Sequence, residues 1–116
     1  MGGKLIDVTV LFADIRGFTA LSEKIEPEAV VELLNKYFTE MIEIIFKYEG
    51  TLDKIVGDEL MVVYGSPVEI VNAEDKAVNT AIEMQSKLAE MNKYLSHPID
   101  IGIGINSGKV ICGNIG

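Results

Sequence analysis

The sequence predicts an α+β fold in which an antiparallel sheet carries helices on one face. Three observations favour this fold class. The spacing of apolar residues switches between a period of two and a period near 3.6 along the chain, which indicates alternating strands and helices. Two short strand-type segments flank a tight turn. Hydrophobic residues make up 48% of the 116 residues, enough for one packed core, and we expect residues 1–116 to belong to a single domain.

The first half of the chain predicts a strand followed by a long helix. Residues 6–12 are rich in Val, Ile and Phe and lead into Asp14, which indicates a buried strand with a polar exit. A helix is predicted at residues 26–48, because Pro27 and its acidic neighbours suit a first turn and apolar residues recur at spacings of three and four. Gly50 marks its end. Residues 15–19, directly after Asp14, are predicted to form a loop, and no helix is predicted before residue 26.

The second half predicts a hairpin, a helix and a last strand. Residues 51–56 and 60–64 are strand-type segments, and the turn residues between them place Asp58 at the tip of a hairpin. Helical periodicity returns at residues 71–94. Four isoleucines then alternate with Asp, Gly, Gly and Asn at residues 99–106, so one face of this strand is nearly bare and something is expected to approach it closely.

The order strand, helix, strand, strand, helix, strand is the βαββαβ pattern of ferredoxin-like folds. In that topology the third strand lies between the first two, which are parallel to each other. The exit of the first strand and the tip of the hairpin then lie at the same edge of the sheet. We therefore expect Asp14 and Asp58 to meet, although 44 positions separate them.

Two carboxylates at one edge repel each other unless a cation lies between them. Mg²⁺ is bound in proteins by one or two carboxylates together with water and substrate phosphates, so this pair is sufficient for it. Gly17 would let backbone N–H groups approach a phosphate. A plainer interpretation stays open, since Asp is common after strands and in turns because of local hydrogen bonding.

Composition excludes several partners. The formal net charge of −8 disfavours nucleic acid and anionic lipid, which normally require clustered Lys and Arg. A single cysteine, Cys112, allows no internal disulfide, and this suits a reducing compartment such as the cytoplasm. No apolar run reaches the length of about 20 residues that a membrane-spanning helix needs, and Met1 to Lys4 carry no targeting signal.

Three segments resemble the signature stretches of class III adenylate and guanylate cyclases. These are Phe12-Ala13-Asp14-Ile15-Arg16-Gly17-Phe18-Thr19, Lys54-Ile55-Val56-Gly57-Asp58-Glu59, and the glycine-rich segment from Gly102 to Gly116. They occur in the family's order and span almost the whole chain. The resemblance is therefore far more specific than any one motif.

The resemblance implies a two-metal reaction. Asp14 and Asp58, with the backbone carbonyl of Ile15, are expected to hold two Mg²⁺ or Mn²⁺ ions while the ribose 3′-hydroxyl attacks the α-phosphorus. Gly17, Phe18 and Thr19 are expected to contact the triphosphate. In this family the active site is shared across a homodimer or pseudo-dimer, so a second copy of the domain is an expected partner.

Lys54 bears on the choice of base. It lies two residues before Val56 and shares that residue's face of the strand. A lysine at this position resembles the family's adenine-recognising residue, and its ammonium can donate to adenine N1 but not to the N1–H of guanine. The resemblance therefore implies an adenylate cyclase that converts ATP to cyclic AMP and pyrophosphate. Base rates alone would make Lys54 a solvated lysine on an edge strand.

Other interpretations remain. A complete class III domain continues past the position of Gly116 with its second base-specifying residue, an asparagine and an arginine, so we expect this chain to be inactive alone. A diguanylate-cyclase-like or polymerase-palm transferase is less favoured, because the hairpin lacks a Gly-Gly-Asp-Glu-Phe sequence. A non-catalytic nucleotide-binding or dimerisation module is the third possibility. Arg16 is expected to point to solvent, and Glu59 to face away from Asp58.

Overall fold

The computed structural model describes residues 2–114, which form a mixed α/β fold. One four-stranded sheet has the strand order β2-β3-β1-β4. The last two residues of the third signature segment, 115 and 116, lie outside the described residues. The elements are β1 (Gly2–Ile15), α1 (Phe18–Lys24), α2 (Pro27–Lys47), β2 (Thr51–Val56), β3 (Glu59–Tyr64), α3 (Ala73–Met91) and β4 (Ile101–Asn114).

The predicted topology is confirmed. Strand β3 pairs antiparallel with both β1 and β2, which makes β1 and β2 parallel to each other on its two sides. Strand β4 pairs antiparallel with the other edge of β1. The end of β1 and the β2–β3 turn consequently lie at the same edge of the sheet, which we call the Asp14 edge.

The core lies between α2, α3 and one face of the sheet. In β3 the buried residues alternate with half-buried ones, as the pleat of a strand that is packed mainly on one side requires. On the opposite face Phe12 is partly exposed, Val56 is 62% exposed, and Gly104 has no neighbour within 4 Å of the position that a Cβ would take. The helix-side cluster contains Leu11, Ala13, Ile15, Tyr37, Met41, Ile45, Leu60, Val62, Tyr64, Met84 and Leu88.

Two strands are longer than the sequence predicts. Strands β1 and β4 each contain 14 residues and pair along their full length. Only Thr9 to Ala13 of β1 also pair with β3. The start of β1 and the end of β4 therefore form a two-stranded extension beyond the rest of the sheet. Its Gly, Lys and Asp residues obscure the apolar alternation from which the strand bounds were predicted.

Helix α1 was predicted as a loop. Its seven residues make about two turns, too few for a helical period to be distinguished from a short apolar cluster.

The end of α2 agrees with the prediction, but the structural reason for a glycine at position 50 differs. Glu49 adopts the left-handed conformation, with φ 65°, whereas a Cβ on Gly50 would lie 2.8 Å from Val62 Cγ1. Gly50 is thus required by close packing.

None of the helices within residues 2–114 combines the length and the apolar character needed to cross a membrane.

Candidate active site

The two sequence-predicted aspartates line one cleft at the Asp14 edge. Asp14 is the penultimate residue of β1, and Asp58 lies in the β2–β3 turn, which Gly57 makes possible with φ 61°. The Asp58 Oδ2 atom accepts a hydrogen bond from the Ile15 N–H at 2.8 Å. This contact fixes the turn against the end of β1, so the predicted convergence of the two segments is confirmed.

The cleft is open and its volume is about 360 Å³. Gly17 adopts φ 63° just before α1. Glycine reaches this left-handed conformation without strain, whereas residues with a Cβ are strained there. Phe18 is half-buried and packs against the core, which anchors the start of α1. This arrangement places Gly17, Phe18 and Thr19 along the cleft wall beside Asp14.

The charge of the cleft is negative. Asp14 is exposed and Asp58 half-buried, and none of the residues that line the cleft is cationic. Glu59 also lines it, although its side chain was expected to face away from Asp58. The first residue after the turn still lies beside the Asp14 edge. Anionic phosphates would be repelled here unless cations neutralised the carboxylates.

The donor set suits a hard divalent ion. Among residues 2–114 no group of three or more His, Cys, Asp or Glu side chains is arranged to hold a metal. The cleft instead offers the two aspartate carboxylates and backbone carbonyls. Mg²⁺ and similar ions complete such a partial shell with water and substrate phosphate oxygens. The residues present therefore fit metal ions that bind together with a nucleotide.

Lys54 lies outside the cleft, on the helix-free face of the sheet. It pairs with Met61, which in turn pairs with Phe12, two residues before Asp14 on the same face of β1. The predicted sharing of a face with Val56 is confirmed, since their partners Met61 and Glu59 also alternate by two. The Lys54 side chain is exposed. A ligand in contact with both Lys54 and Asp14 would have to lie across this face.

Arg16 is exposed to solvent as predicted, but its guanidinium lies against the backbone of Gly102. A Cβ on Gly102 would lie 2.6 Å from the Arg16 Cζ and Nη2 atoms, so the guanidinium occupies the space left by this missing side chain. Gly102 pairs directly with Asp14. The bare face of β4 was predicted to be approached closely, and Arg16 approaches it at Gly102. No described atom lies close to Gly104.

The prediction also missed Tyr37. This residue is fully buried in α2, and its hydroxyl has no hydrogen-bond partner among the described residues. Burial raises the pKa of the Tyr37 hydroxyl far above its ordinary value, and the negative charges of Asp58 and then Asp14 raise it further. In the sequence Tyr37 is one residue of a broad apolar stripe, and only its polar atom distinguished it from core packing.

A larger cavity, of about 730 Å³, lies at the opposite end of the sheet. Acidic side chains from β1, from the segment before α3 and from the first turn of α3 line it, among them Asp7, Glu69 and Asp75. It holds none of the residues in the first two signature segments. Volume alone does not identify a site, and the chemistry that the sequence predicts lies in the smaller cleft.

Comparisons with known proteins agree with this geometry. The family described as "Adenylate and Guanylate cyclase catalytic domain" matches residues 3–116. The guanylyl cyclase Cya2 is 42% identical with a TM-score of 0.91, over 100% of this chain and 61% of that one. The adenylyl cyclase CyaB from P. aeruginosa is 40% identical with a TM-score of 0.83, over 100% of this chain and 63% of that one.

A curated relative, an adenylate cyclase of Anabaena cylindrica, is 35% identical over 94% of this chain and 22% of its own length. The chain thus spans about a fifth of the curated relatives it matches and about three fifths of the two solved domains. Both cyclase types occur among these relatives, so the resemblance does not distinguish ATP from GTP. The family match over residues 3–116 and the similarity to these solved domains show that this chain belongs to the family of class III adenylate and guanylate cyclase catalytic domains.

Proposed function

We propose that this domain converts ATP to 3′,5′-cyclic AMP and pyrophosphate. One observation carries the proposal: Asp14 and Asp58 line a single cleft beside the Gly17 turn, with Asp58 held by the Ile15 N–H. That arrangement suits metal ions and a triphosphate, and the family's reaction uses both.

The residues of the cleft have distinct roles in this proposal. Asp14, Asp58 and the Ile15 carbonyl would hold two Mg²⁺ or Mn²⁺ ions. Such ions lower the pKa of a hydroxyl and stabilise the charge of an in-line displacement at phosphorus. Backbone N–H groups of Gly17, Phe18 and Thr19 would donate to the triphosphate, since N–H groups that converge at a turn form an anion site.

The choice of ATP is supported by Lys54. Its ammonium is a donor without acceptor capacity, and adenine N1 is an acceptor whereas guanine N1 carries a proton. Lys54 lies outside the cleft that Asp14 and Asp58 line, which suits a homodimer in which one copy holds the metals and Lys54 of the other copy contacts the base. GTP is the second candidate substrate, because the 42% identical Cya2 is a guanylyl cyclase.

The proposed partner is a second copy of the domain. The helix-free face carries the exposed Val56, the partly exposed Phe12 and the bare backbone of Gly104. Contiguous exposed apolar surface often marks an interaction site. A second copy on this face would bring its own Lys54 toward the base of a nucleotide held at Asp14. We expect a single copy without such cover to make little cyclic nucleotide.

The substitution Lys54→Glu tests the base assignment. In a protein that carries the whole domain, we expect it to lower the ATP:GTP ratio of kcat/KM about ten- to a hundred-fold, because a hydrogen bond from a charged donor is lost. Lys93→Glu is the charge-matched control, since this exposed lysine lies beyond α3. We expect it to leave the ratio unchanged.

The possible outcomes separate the candidates. An unchanged ratio for Lys54→Glu would remove Lys54 from the base site. A wild-type protein that uses GTP in preference to ATP would favour the guanylate cyclase. Nucleotide binding without product from either nucleotide would favour a non-catalytic binding module.

A further inference from the structure

Arg16 is the only arginine of the sequence, and it lies between two residues of the cleft wall, Ile15 and Gly17. Its backbone N–H donates to the Asp100 carbonyl at 2.8 Å. This hydrogen bond holds the start of the turn against the segment that precedes β4. The main chain that carries the arginine is therefore anchored beside the cleft.

The guanidinium of Arg16 lies flat on Gly102. Its Cζ, Nη2 and Nε atoms are 2.6, 2.6 and 2.7 Å from the position that a Cβ on Gly102 would take. At such a distance, a point is almost equally far from three atoms of one planar group only if it lies off the plane. The face of the guanidinium thus covers Gly102, and its N–H donors, which lie in the plane, point along the surface of the sheet.

The same guanidinium lies close to Asp14 without pairing with it. Gly102 is the cross-strand partner of Asp14, and residues directly opposite each other project to one face with Cβ positions about 4.5–5.5 Å apart. The Arg16 Cζ atom consequently lies within about 8 Å of the Asp14 Cβ. In the part of the chain that the structure describes, the Arg16 side chain has no ion-pair or hydrogen-bond partner. Its donors are therefore available to a ligand held at Asp14.

The chemistry of these donors favours phosphate as that ligand. The planar fork of a guanidinium matches two oxygens of one phosphate group. The cleft itself offers the carboxylates of Asp14, Asp58 and Glu59 and no cationic side chain, so a phosphate there needs positive charge from a neighbouring side chain as well as from metal ions. Because the guanidinium already rests on the sheet, it loses less conformational freedom on binding than a lysine or arginine in open solvent.

We infer that Arg16 is a substrate-binding residue, whose guanidinium, supported by Gly102, donates to phosphate oxygens of the nucleotide held at Asp14. The inference rests on the proposed nucleotide cyclase function and adds a side-chain contact to the backbone N–H groups of the Gly17 turn. It also gives Gly102 a role: a Cβ at this position would displace the guanidinium from beside Asp14.

Calorimetric titration with inorganic pyrophosphate in the presence of Mn²⁺ tests the inference in a protein that carries the whole domain. Pyrophosphate has no base, so the result does not depend on whether ATP or GTP is the substrate. We expect Arg16→Ala to weaken pyrophosphate binding about ten- to a hundred-fold, because a charge-assisted hydrogen bond is lost. Gly102→Ala should also weaken it, and should have no further effect when combined with Arg16→Ala, since both changes remove the same contact.

Two matched controls accompany these variants. Lys24→Ala removes an exposed positive charge at the end of α1, and Gly108→Ala adds a Cβ to β4 where nothing lies within 4 Å. Both should bind pyrophosphate as the wild type does. Titration with Mn²⁺ alone is the second measurement: Arg16→Ala should bind Mn²⁺ at least as tightly as the wild type, because the loss of a nearby positive charge does not weaken the binding of a cation.

The results distinguish failure of this inference from failure of the proposed function. Wild-type pyrophosphate affinity in Arg16→Ala, together with loss of binding in Asp58→Asn, would overturn the role of Arg16 alone. If Arg16→Ala instead weakened dimerisation in sedimentation experiments at unchanged pyrophosphate affinity, the guanidinium would belong to a contact with a second copy.

Two further outcomes would overturn the inference. Additive effects of Arg16→Ala and Gly102→Ala would show that Gly102 acts independently of the guanidinium, and weaker binding of Mn²⁺ alone by Arg16→Ala would show that the substitution disturbs the aspartates themselves. Absence of saturable pyrophosphate binding by the wild type would overturn the proposed nucleotide site and the inference with it.

Discussion

Removing the charge of Asp58 should separate its structural contribution from its metal-binding one. Its Oδ2 atom accepts the Ile15 N–H at 2.8 Å, and a hydrogen bond to a charged group stabilises a fold by about 1.5–3 kcal/mol. Because Asp58 is only half-buried, we expect the lower end of this range, about 1.5 kcal/mol, to be lost in Asp58→Ala. Asp58→Asn keeps a neutral acceptor and should lose about 0.5–1 kcal/mol.

The contribution of metal binding to stability is measured by urea unfolding in the absence and in the presence of Mn²⁺. A ligand at 100 times its Kd stabilises the folded state by about 2.7 kcal/mol, and we expect a gain of this order for the wild-type chain. Asp58→Asn should gain almost nothing, because an amide is a far poorer ligand than a carboxylate. Asp53→Asn, at an exposed position of the same hairpin, is the matched control and should gain as much as the wild type.

An Asp58→Asn variant that Mn²⁺ stabilises as strongly as the wild type would show that Asp58 does not bind the metal. Loss of the Mn²⁺ effect in Asp53→Asn would likewise contradict the assignment, since the metal would then bind elsewhere on the hairpin. A loss well above 3 kcal/mol in Asp58→Ala would show that the turn has a larger structural role than one hydrogen bond allows.

Three glycine-to-alanine substitutions test whether a new Cβ costs more stability against buried core side chains than against an exposed side chain that can move. In Gly50→Ala the new Cβ would lie 2.8 Å from Val62 and 2.9 Å from Tyr64, both fully buried, so urea unfolding should show a loss of about 1–3 kcal/mol. In Gly102→Ala the new Cβ meets the far end of the exposed Arg16 side chain, which can move away, so the loss should stay below about 1 kcal/mol. Gly104→Ala, with open space around it, should be neutral or stabilising. Equal costs for the substitutions at Gly50 and Gly102 would contradict this account.

Much of the active site could be predicted because it depends on local patterns and one topological rule. Strand β1, helix α2 and the β2–β3 hairpin each have a clear periodicity or turn signal. The βαββαβ order then requires that the end of β1 and the hairpin tip share an edge. Asp14 and Asp58 were brought together on this basis, and the cleft between them agrees.

The features that escaped prediction depend on side-chain packing between distant segments. Arg16 folds over Gly102 and Glu59 reaches the cleft, which the alternation of strand residues does not determine. Helix α1 is too short for its period to be recognised. Gly50 suggested the end of a helix, but a glycine is needed there because the Val62 and Tyr64 side chains lie against it.

The sequence by itself determined the order of the four strands and the two long helices, the family, and the two aspartates at one edge of the sheet. The family follows from the resemblance of the three signature segments, and the rest from residue spacing and rules of chain connection, none of which requires coordinates. Only the tertiary structure decided which polar atoms are satisfied. It showed Asp58 bound to the Ile15 N–H and the Tyr37 hydroxyl buried without a partner. The physical reason is that a hydrogen bond depends on distances of about 3 Å between atoms, and sequence spacing does not determine positions across the core to that accuracy.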